Sequence, residues 1–326
     1  MNFRKFNGTN FQTSEIGLGC WQLGGADWGD VSDKLAFDIL AQAVENGMNF
    51  FDTADVYGNG RSEELIARFL KQTGRQVFVA TKLGRLNLYP DNYTEATIRA
   101  ATEASLKRLQ VDSLDLTQLH CIPTEVMRQG DVFEWLRKLQ QEGKIRHFGA
   151  SVESMEEAQI CLQQDGLSSL QIIFNLFRQK PIETLFDEAK QKQVALIIRL
   201  PLASGLLSGK LTKDSAFAAT DHRHYNRDGQ FFNVGETFAG LEFEEGLALV
   251  EQLRPLVPEG MTMAEWAMRW ILDFEAVTVV IPGATKVEQV SANAAVSNLL
   301  PLSHGLHEQL RAFYAVNVAE KIRGPY

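Results

Sequence analysis

Residues 48–82 read MNFFDTADVYGNGRSEELIARFLKQTGRQVFVATK, and this stretch decides the fold class. Met48–Ala54 is a short apolar run closed by polar residues and glycines, so it reads as a buried strand. A helical stretch follows. Ser62 is placed to cap it, Leu65, Ile66, Phe69 and Leu70 form one apolar face, and Gly74 offers a left-handed stop. Val77–Lys82 is a second buried run. Strand, helix and strand in succession make a βα unit, which implies parallel pairing with the helix as crossover.

The same grammar extends in both directions. Candidate strands are Glu15–Trp21, Met48–Ala54, Val77–Lys82, Leu114–His120, His147–Val152, Leu170–Asn175, Ala195–Leu200 and Val277–Gly283. They are rich in Val, Ile, Leu and Phe, as parallel strands covered on both faces should be. Ser32 is expected to cap a helix with Leu35, Ile39, Leu40 and Val44 inward and Gly47 as its stop. Asp131 or a neighbour starts another, carrying Val132, Trp135, Leu136 and Leu139, and Thr262 opens one with Ala267, Met268, Ile271 and Leu272. No Pro/Ser-rich linker divides the chain, so residues 1–326 are expected to form a single-domain α/β protein, a (β/α)8 TIM barrel. The alternative is an open, doubly wound sheet. It is less favoured because a dinucleotide fold of that kind wants G-x-G-x-x-G after its first strand, and Cys20-Trp21-Gln22-Leu23-Gly24-Gly25 stands there instead.

Composition bounds the function. With 45% hydrophobic and 22% charged residues in 326, the chain has material for a large core. A net charge of −9 without basic clusters argues against nucleic acid as a partner and for small molecules. Three cysteines without ligand spacing read as reduced thiols, and no apolar stretch is long enough for a membrane span, so a cytoplasmic protein is expected. Oligomeric state is not legible.

In a parallel barrel the active site gathers at the C-terminal strand ends. Those ends carry Asp52, Lys82 and His120, with Tyr57 five residues beyond Asp52. Any one of them reads as a solvated terminus or cap; a carboxylate, ammonium, phenol and imidazole converging on one mouth read as chemistry. An ammonium beside a phenol lowers its pKa, so Lys82 is expected to tune Tyr57, Asp52 to hold Lys82 charged, and His120 to position a carbonyl oxygen. Trp21 and Trp28, leaving the first strand, are candidate walls of a substrate pocket that also includes Tyr57 and His120. The long stretch from Ser204 to about Glu244 reads as a lid or cofactor clasp. His222 and His224 within it lack partners at ligand spacing, so no metal is assigned, and Cys121 reads as a packing thiol.

Phe51-Asp52-Thr53-Ala54-Asp55-Val56-Tyr57-Gly58 with Ser62-Glu63-Glu64-Leu65, Thr81-Lys82-Leu83-Gly84, and Ser105–Leu109 with Asp115–His120 resemble the signatures of the aldo-keto reductases. The branch most like this chain is the one of bacterial reductases and potassium-channel β-subunits, and the resemblance runs from about Leu18 to about Asn293. It implies NAD(P)H-dependent reduction of aldehydes or ketones with Tyr57 as general acid and Asp52, Lys82 and His120 completing a tetrad. It also implies that Ser151 and Gln171 hold the nicotinamide carboxamide, although Val152 stands where the family commonly has Asn. Pro201, Leu202, Ser204, Gly205, Leu206, Ser208 and Lys210 resemble the pyrophosphate clasp, and Gly283, Thr285, Lys286, Gln289 and Asn293 the adenosine segment. Lys286 is the reason to expect NADP(H) in preference to NAD(H). Arg199 replaces a Tyr that in many relatives stacks on the nicotinamide; it should repel the oxidised, cationic ring unless a carboxylate pairs with it. The rival functions are a non-enzymatic NADP(H)-binding regulatory subunit and a Schiff-base aldolase using Lys82.

Overall fold

The computed structural model describes residues 1–25, 27, 28 and 31–326. Eight parallel strands form one sheet: β3 (Leu18–Gly19), β4 (Phe50–Asp52), β5 (Phe78–Leu83), β6 (Leu114–His120), β7 (Ile145–Ser151), β8 (Leu167–Ile173), β9 (Ala195–Arg199) and β10 (Val277–Val280). They pair in sequence order. The open-sheet alternative falls on the closure: Ile16 bridges Val280 and Gly19 bridges Gly283, both in parallel, with Gly17 N–H donating to the Val280 carbonyl at 2.9 Å. The sheet is a barrel. An antiparallel hairpin, β1 (Phe3–Lys5) and β2 (Gln12–Ser14), precedes it and was not foreseen, its strands being too short to show periodicity.

The hairpin closes the N-terminal end. Phe6, fully buried, packs against Phe50 and Phe78 at ring-centroid distances of 5.9 and 5.5 Å, among Leu116, Ala195, Ile197, Val279 and Ile281. The lower barrel is therefore a packed apolar core, and the polar side chains gather at the opposite strand ends. Around the barrel run α1 (Asp33–Glu45), α2 (Arg61–Thr73), α3 (Glu95–Leu109), α4 (Thr124–Gln129), α5 (Asp131–Gln141), α6 (Met155–Leu162), α7 (Pro181–Thr184) and α8 (Phe186–Gln191). After β9 come the short α9 (His222–Tyr225), then α10 (Phe243–Leu253), α11 (Met263–Leu272), α12 (Val287–Ala295) and α13 (His304–Asn317).

Ser32 and Thr262 cap as expected, Thr262 in a reciprocal pair with Glu265; removing such a cap costs about 1 kcal/mol. Ser62 does not. The helix begins at Gly60, and the Ser62 hydroxyl instead accepts from Thr53 Oγ1 at 2.8 Å and donates to the Cys20 carbonyl at 2.9 Å. It ties the first strand's exit to the second's, a partner more valuable in a dry interior than one exposed N–H. Strand limits differ from expectation by up to three residues at each end, most at Leu170–Asn175, observed as Leu167–Ile173, and at Glu15–Trp21, where the pairing is confined to Leu18–Gly19 and isolated bridges. Among the described residues, no helix is long and apolar enough to cross a membrane.

Candidate active site

The four strand-end groups meet. Lys82, on β5, is 1% exposed; its Nζ lies 2.6 Å from Asp52 Oδ2 on β4, donates to the Thr53 carbonyl at 2.9 Å and reaches Tyr57 Oη at 3.1 Å. All three ammonium protons are thus directed. Gln171 Nε2, on β8, donates to Asp52 Oδ1 at 2.7 Å, fixing the carboxylate from its other side. The Tyr57 and His120 rings sit edge to face at 5.8 Å, and Trp21 stacks on Tyr57 at 5.9 Å. Tyr57 is held there by close backbone packing: a Cβ on Gly58, whose φ is +60°, would lie 2.1 Å from the Gly24 carbonyl oxygen.

Burial and charge set the protonation states. Burial drives the Asp52 carboxyl upward and Lys82 pulls it back. Burial works to lower the Lys82 ammonium, but Asp52 and Tyr57 outweigh it and leave the pKa raised, so Lys82 is charged at neutral pH. Lys82 does pull the Tyr57 phenol downward as expected, but it is outweighed. Burial pushes its phenol up to about 12, with Lys82 opposing, so Tyr57 is a protonated donor at neutral pH. Burial, with the nearby cations Arg85, Lys82 and Arg199, holds His120 well below the ordinary imidazole range, and its Nδ1 has no protein partner. The site combines a neutral phenol backed by a buried ammonium with a neutral imidazole, an arrangement that can donate hydrogen bonds and one proton to an oxygen acquiring negative charge.

These groups open into a cleft of about 880 Å3, at the upper end of small-molecule sites. Ser151, Gln171 and Arg199 line it from the strand ends. Pro201, Leu202, Ser204, Gly205, Ser208 and Lys210 form a second wall, and Gly283, Thr285, Gln289 and Asn293 a third. Leu206 does not reach it: its side chain is in the core, pressed on the space a Gly246 Cβ would take, because an apolar side chain in this turn is drawn inward. Lys286 is exposed next to Thr285 and is not among the lining residues. Gln289 has a structural role as well, its Oε1 accepting the Thr285 and Lys286 N–H groups at 2.8 and 3.1 Å.

A dinucleotide fits the second wall. Leu200, Ala203, Ser204, Gly205 and Gly209 all have positive φ, so the backbone turns tightly, with the Ala203, Gly205 and Gly209 N–H groups bonded within the turn, and Lys210 adjoins to offer a phosphate its charge. Trp21 and Trp28 line the other end, packed on the fully buried His222 at 4.9 and 4.4 Å. His222 backs the two rings from within the core and does not itself line the cleft. Sequence reasoning missed Asp27, which accepts from Trp21 Nε1 at 3.0 Å and Tyr225 Oη at 2.8 Å, and Arg85, Glu153, Phe232 and Glu236, which also line the cleft. The polar-aromatic run His222–Tyr225 was the available signal that the long segment folds over the site.

Cys121, Glu153 and Glu236 place ligand-type atoms within 4.8 Å of one another. Arg85 and Arg199 occupy those carboxylates, which are therefore surroundings for a cation already supplied by the protein. Burial raises the Cys121 thiol to about 12, consistent with a packing role.

The model of the aldo/keto reductase family matches residues 15–315, nearly the whole barrel and all four strand-end groups. The chain belongs to the aldo/keto reductase family. Among its relatives is the aldo-keto reductase YhdN of Bacillus subtilis (strain 168), 32% identical over 299 residues, which cover 90% of this chain and 87% of that one. The NADH-specific methylglyoxal reductase of Escherichia coli (strain K12) is 28% identical, covering 89% and 92%. The solved structure of the glycerol dehydrogenase AKR11B4 from Gluconobacter oxydans superposes with a TM-score of 0.80 at 29% identity, over 99% of this chain and 98% of the other. Membership makes this aldo/keto reductase an oxidoreductase that joins NAD(P)H to carbonyl reduction.

Proposed function

We propose that this chain reduces aldehyde or ketone carbonyls to alcohols with NADPH as the preferred cofactor and Tyr57 as the general acid. The observation that carries the reading is the Asp52–Lys82–Tyr57 relay, with contacts of 2.6 and 3.1 Å, ending beside a neutral His120 in a cleft large enough for a dinucleotide and a small substrate. When bound, the reduced nicotinamide supplies the hydride. Ser151 and Gln171 would hold its carboxamide, the 201–210 wall its pyrophosphate, and Thr285, Gln289 and Asn293 its adenosine.

The protein's own part is proton and charge management. A carbonyl oxygen hydrogen-bonded to Tyr57 and His120 gathers negative charge as its carbon is reduced, and the Tyr57 proton moves onto it. The phenolate left behind faces the Lys82 ammonium, which Asp52 keeps charged, so the step that burial alone would make costly is stabilised where the charge appears. The same ionic state of Lys82 argues against the aldolase, which needs a neutral amine. Preference for NADPH rests on Lys286, free to meet a 2′-phosphate from its exposed position next to Thr285. The aromatic walls Trp21 and Trp28 suit a compact apolar carbonyl compound.

The test is oxidation of NADPH followed by absorbance across aromatic and aliphatic aldehydes, α-dicarbonyls and ketones, with Tyr57→Phe as control. Turnover that vanishes in the control supports the assignment; turnover equal in the two proteins removes Tyr57 as the acid, and absence of nicotinamide binding removes the reading altogether.

A further inference from the structure

Four charged side chains from four separate segments meet on one wall of the cleft: Arg85 after β5, Glu153 after β7, Arg199 at the end of β9, and Glu236 in the long segment before α10. Their side chains are 19%, 17%, 11% and 7% exposed, so solvent does little of the screening. Glu236 is the shared member. Its Oε1 lies 3.3 Å from Arg85 Nη2 and 3.5 Å from Arg199 Nη1, and accepts from Cys121 Sγ at 3.8 Å. Arg85 has a second carboxylate, Glu153, at 2.8 Å. Among the described residues, Arg199 pairs with Glu236 alone; its other contacts are the Val152 carbonyl at 3.2 Å and the Cys121 sulfur, and its Nε is buried without a partner there.

Arg199 lines the same cleft as Ser151 and Gln171, and is paired in register with Ile173 on β8. A guanidinium there is a fixed positive charge facing whatever ring lies between those strand ends. The two redox forms of a nicotinamide differ in exactly the property it senses, one cationic and one neutral, while everything else about the dinucleotide is common to both. Burial works to raise the Glu236 carboxyl, but Arg199 and Arg85 outweigh it and hold the pKa at about 2, so it is ionised across the neutral range. The unpaired Arg199 that would favour the reduced cofactor is therefore not what the chain presents.

We infer that Glu236 is the residue that sets the balance between oxidised and reduced cofactor: by neutralising Arg199 it makes the cleft tolerant of the cationic ring, so that affinity for NADP+ relative to NADPH is governed by a carboxylate on the long segment. The inference rests on the proposal that the cleft holds NADP(H). Glu236 is a positioning and charge-setting residue, acting through Arg199, and a mere structural tether at the same place would weaken both redox forms alike. It follows that the segment covering the site also tunes the direction in which the enzyme binds its cofactor, with alcohol oxidation accessible as well as carbonyl reduction.

The experiment is equilibrium titration of NADPH and NADP+, by fluorescence or calorimetry and without substrate, in the wild type, Glu236→Gln, Glu236→Asp and the double variant Arg199→Met/Glu236→Gln. Glu236→Gln is expected to raise the ratio Kd(NADP+)/Kd(NADPH) about tenfold, the low end for close, poorly solvated charge pairs. Glu236→Asp should recover most of that shift, and the double variant should return to the wild-type ratio, since the cation to be neutralised is gone. A ratio unchanged in Glu236→Gln, with both constants rising together, overturns the inference and leaves Glu236 a structural latch. A wild type that binds neither nucleotide overturns the cofactor reading itself, a different and recognisable failure.

Discussion

The two charged clusters of this molecule are built in opposite ways. Asp52, Lys82 and His120 end strands β4, β5 and β6, with Tyr57 one turn beyond; neighbouring strands in a barrel bring consecutive strand ends together whatever the loops do. Arg85, Glu153 and Arg199 stand at or just after the ends of β5, β7 and β9, and Glu236, up to 151 residues away in sequence, joins them only because the long segment folds back over the mouth. The first cluster is fixed by the sheet. The second is fixed by the lid, which is itself pinned from the far side, Arg323 Nε donating to the Gly240 carbonyl at 3.0 Å and Nη2 to the Leu241 carbonyl at 3.1 Å. Sheet-borne groups should therefore govern chemistry and core stability, and loop-borne groups binding preference and local opening.

The largest effect expected on the sheet side is that of Tyr57→Phe, which removes the proton without disturbing the ring packing on Trp21 and His120. A loss of about 100- to 10,000-fold in kcat with nucleotide Kd unchanged is expected. A parallel loss in nucleotide binding would mean that the phenol is a binding group and would blur the division. Next comes Lys82→Met. Removing one partner of a buried ion pair leaves the other uncompensated, so this variant should lose about 3–5 kcal/mol in denaturant unfolding, and Asp52→Asn/Lys82→Met should recover part of it. If the single and double variants are equally stable, the pair is not held as ions.

The two clusters were also unequally legible in the sequence. Asp52, Lys82 and His120 could be found because each closes an apolar run of period and length typical of a barrel strand, and Tyr57 because it follows at a fixed offset. Nothing local marks Glu236: it stands in Asn233-Val234-Gly235-Glu236-Thr237, among turn residues, and its partners Arg85 and Arg199 lie 151 and 37 residues away. Arg199 was visible as a departure and its need for a carboxylate could be stated, but which carboxylate answers it depends on loop folding. Ser62 failed as a cap for a similar reason. Its local pattern is right, yet Gly60 takes the cap position and tertiary partners at Thr53 and Cys20 claim the hydroxyl. Leu206 shows a related limit: its apolar side chain turns inward, which leaves to its backbone whatever contact the resemblance implies.

A smaller effect probes the lid alone. Arg323→Ala deletes the bonds to Gly240 and Leu241 and the ion pair to Asp228 at 2.9 Å, without touching the cleft. Losing a few partly exposed hydrogen bonds should cost about 1–2 kcal/mol. It should appear as faster hydrogen exchange and proteolytic nicking across residues 204–244, with β4 to β6 and the Tyr57 chemistry unaltered. Spread of the exchange into those strands would show that lid and sheet open as one unit.

The smallest expected effect is a pH dependence confined to the loop-borne cluster. Burial and the neighbouring Glu236 raise the Glu153 carboxyl to about 7, against the pull of Arg85 and Arg199. The other groups facing it do not titrate nearby: Glu236 lies at about 2, Cys121 at about 12, and the two guanidiniums stay charged. Below about pH 7 Glu153 is therefore mostly protonated and the wall carries a net positive charge; above it Glu153 ionises and the wall becomes neutral. His120 contributes no change, being held neutral well below this range. The affinity for NADP+ relative to NADPH should accordingly rise a few-fold as pH increases through neutrality, the ionisation of the 2′-phosphate cancelling because both forms carry it. Folding stability should move the other way: a carboxyl whose folded pKa is raised stabilises the protonated state, and stability drawn from it falls as pH passes from the ordinary carboxylate range up through about 7. Glu153→Gln should flatten both profiles and leave the pH dependence of kcat in place, because that belongs to the sheet.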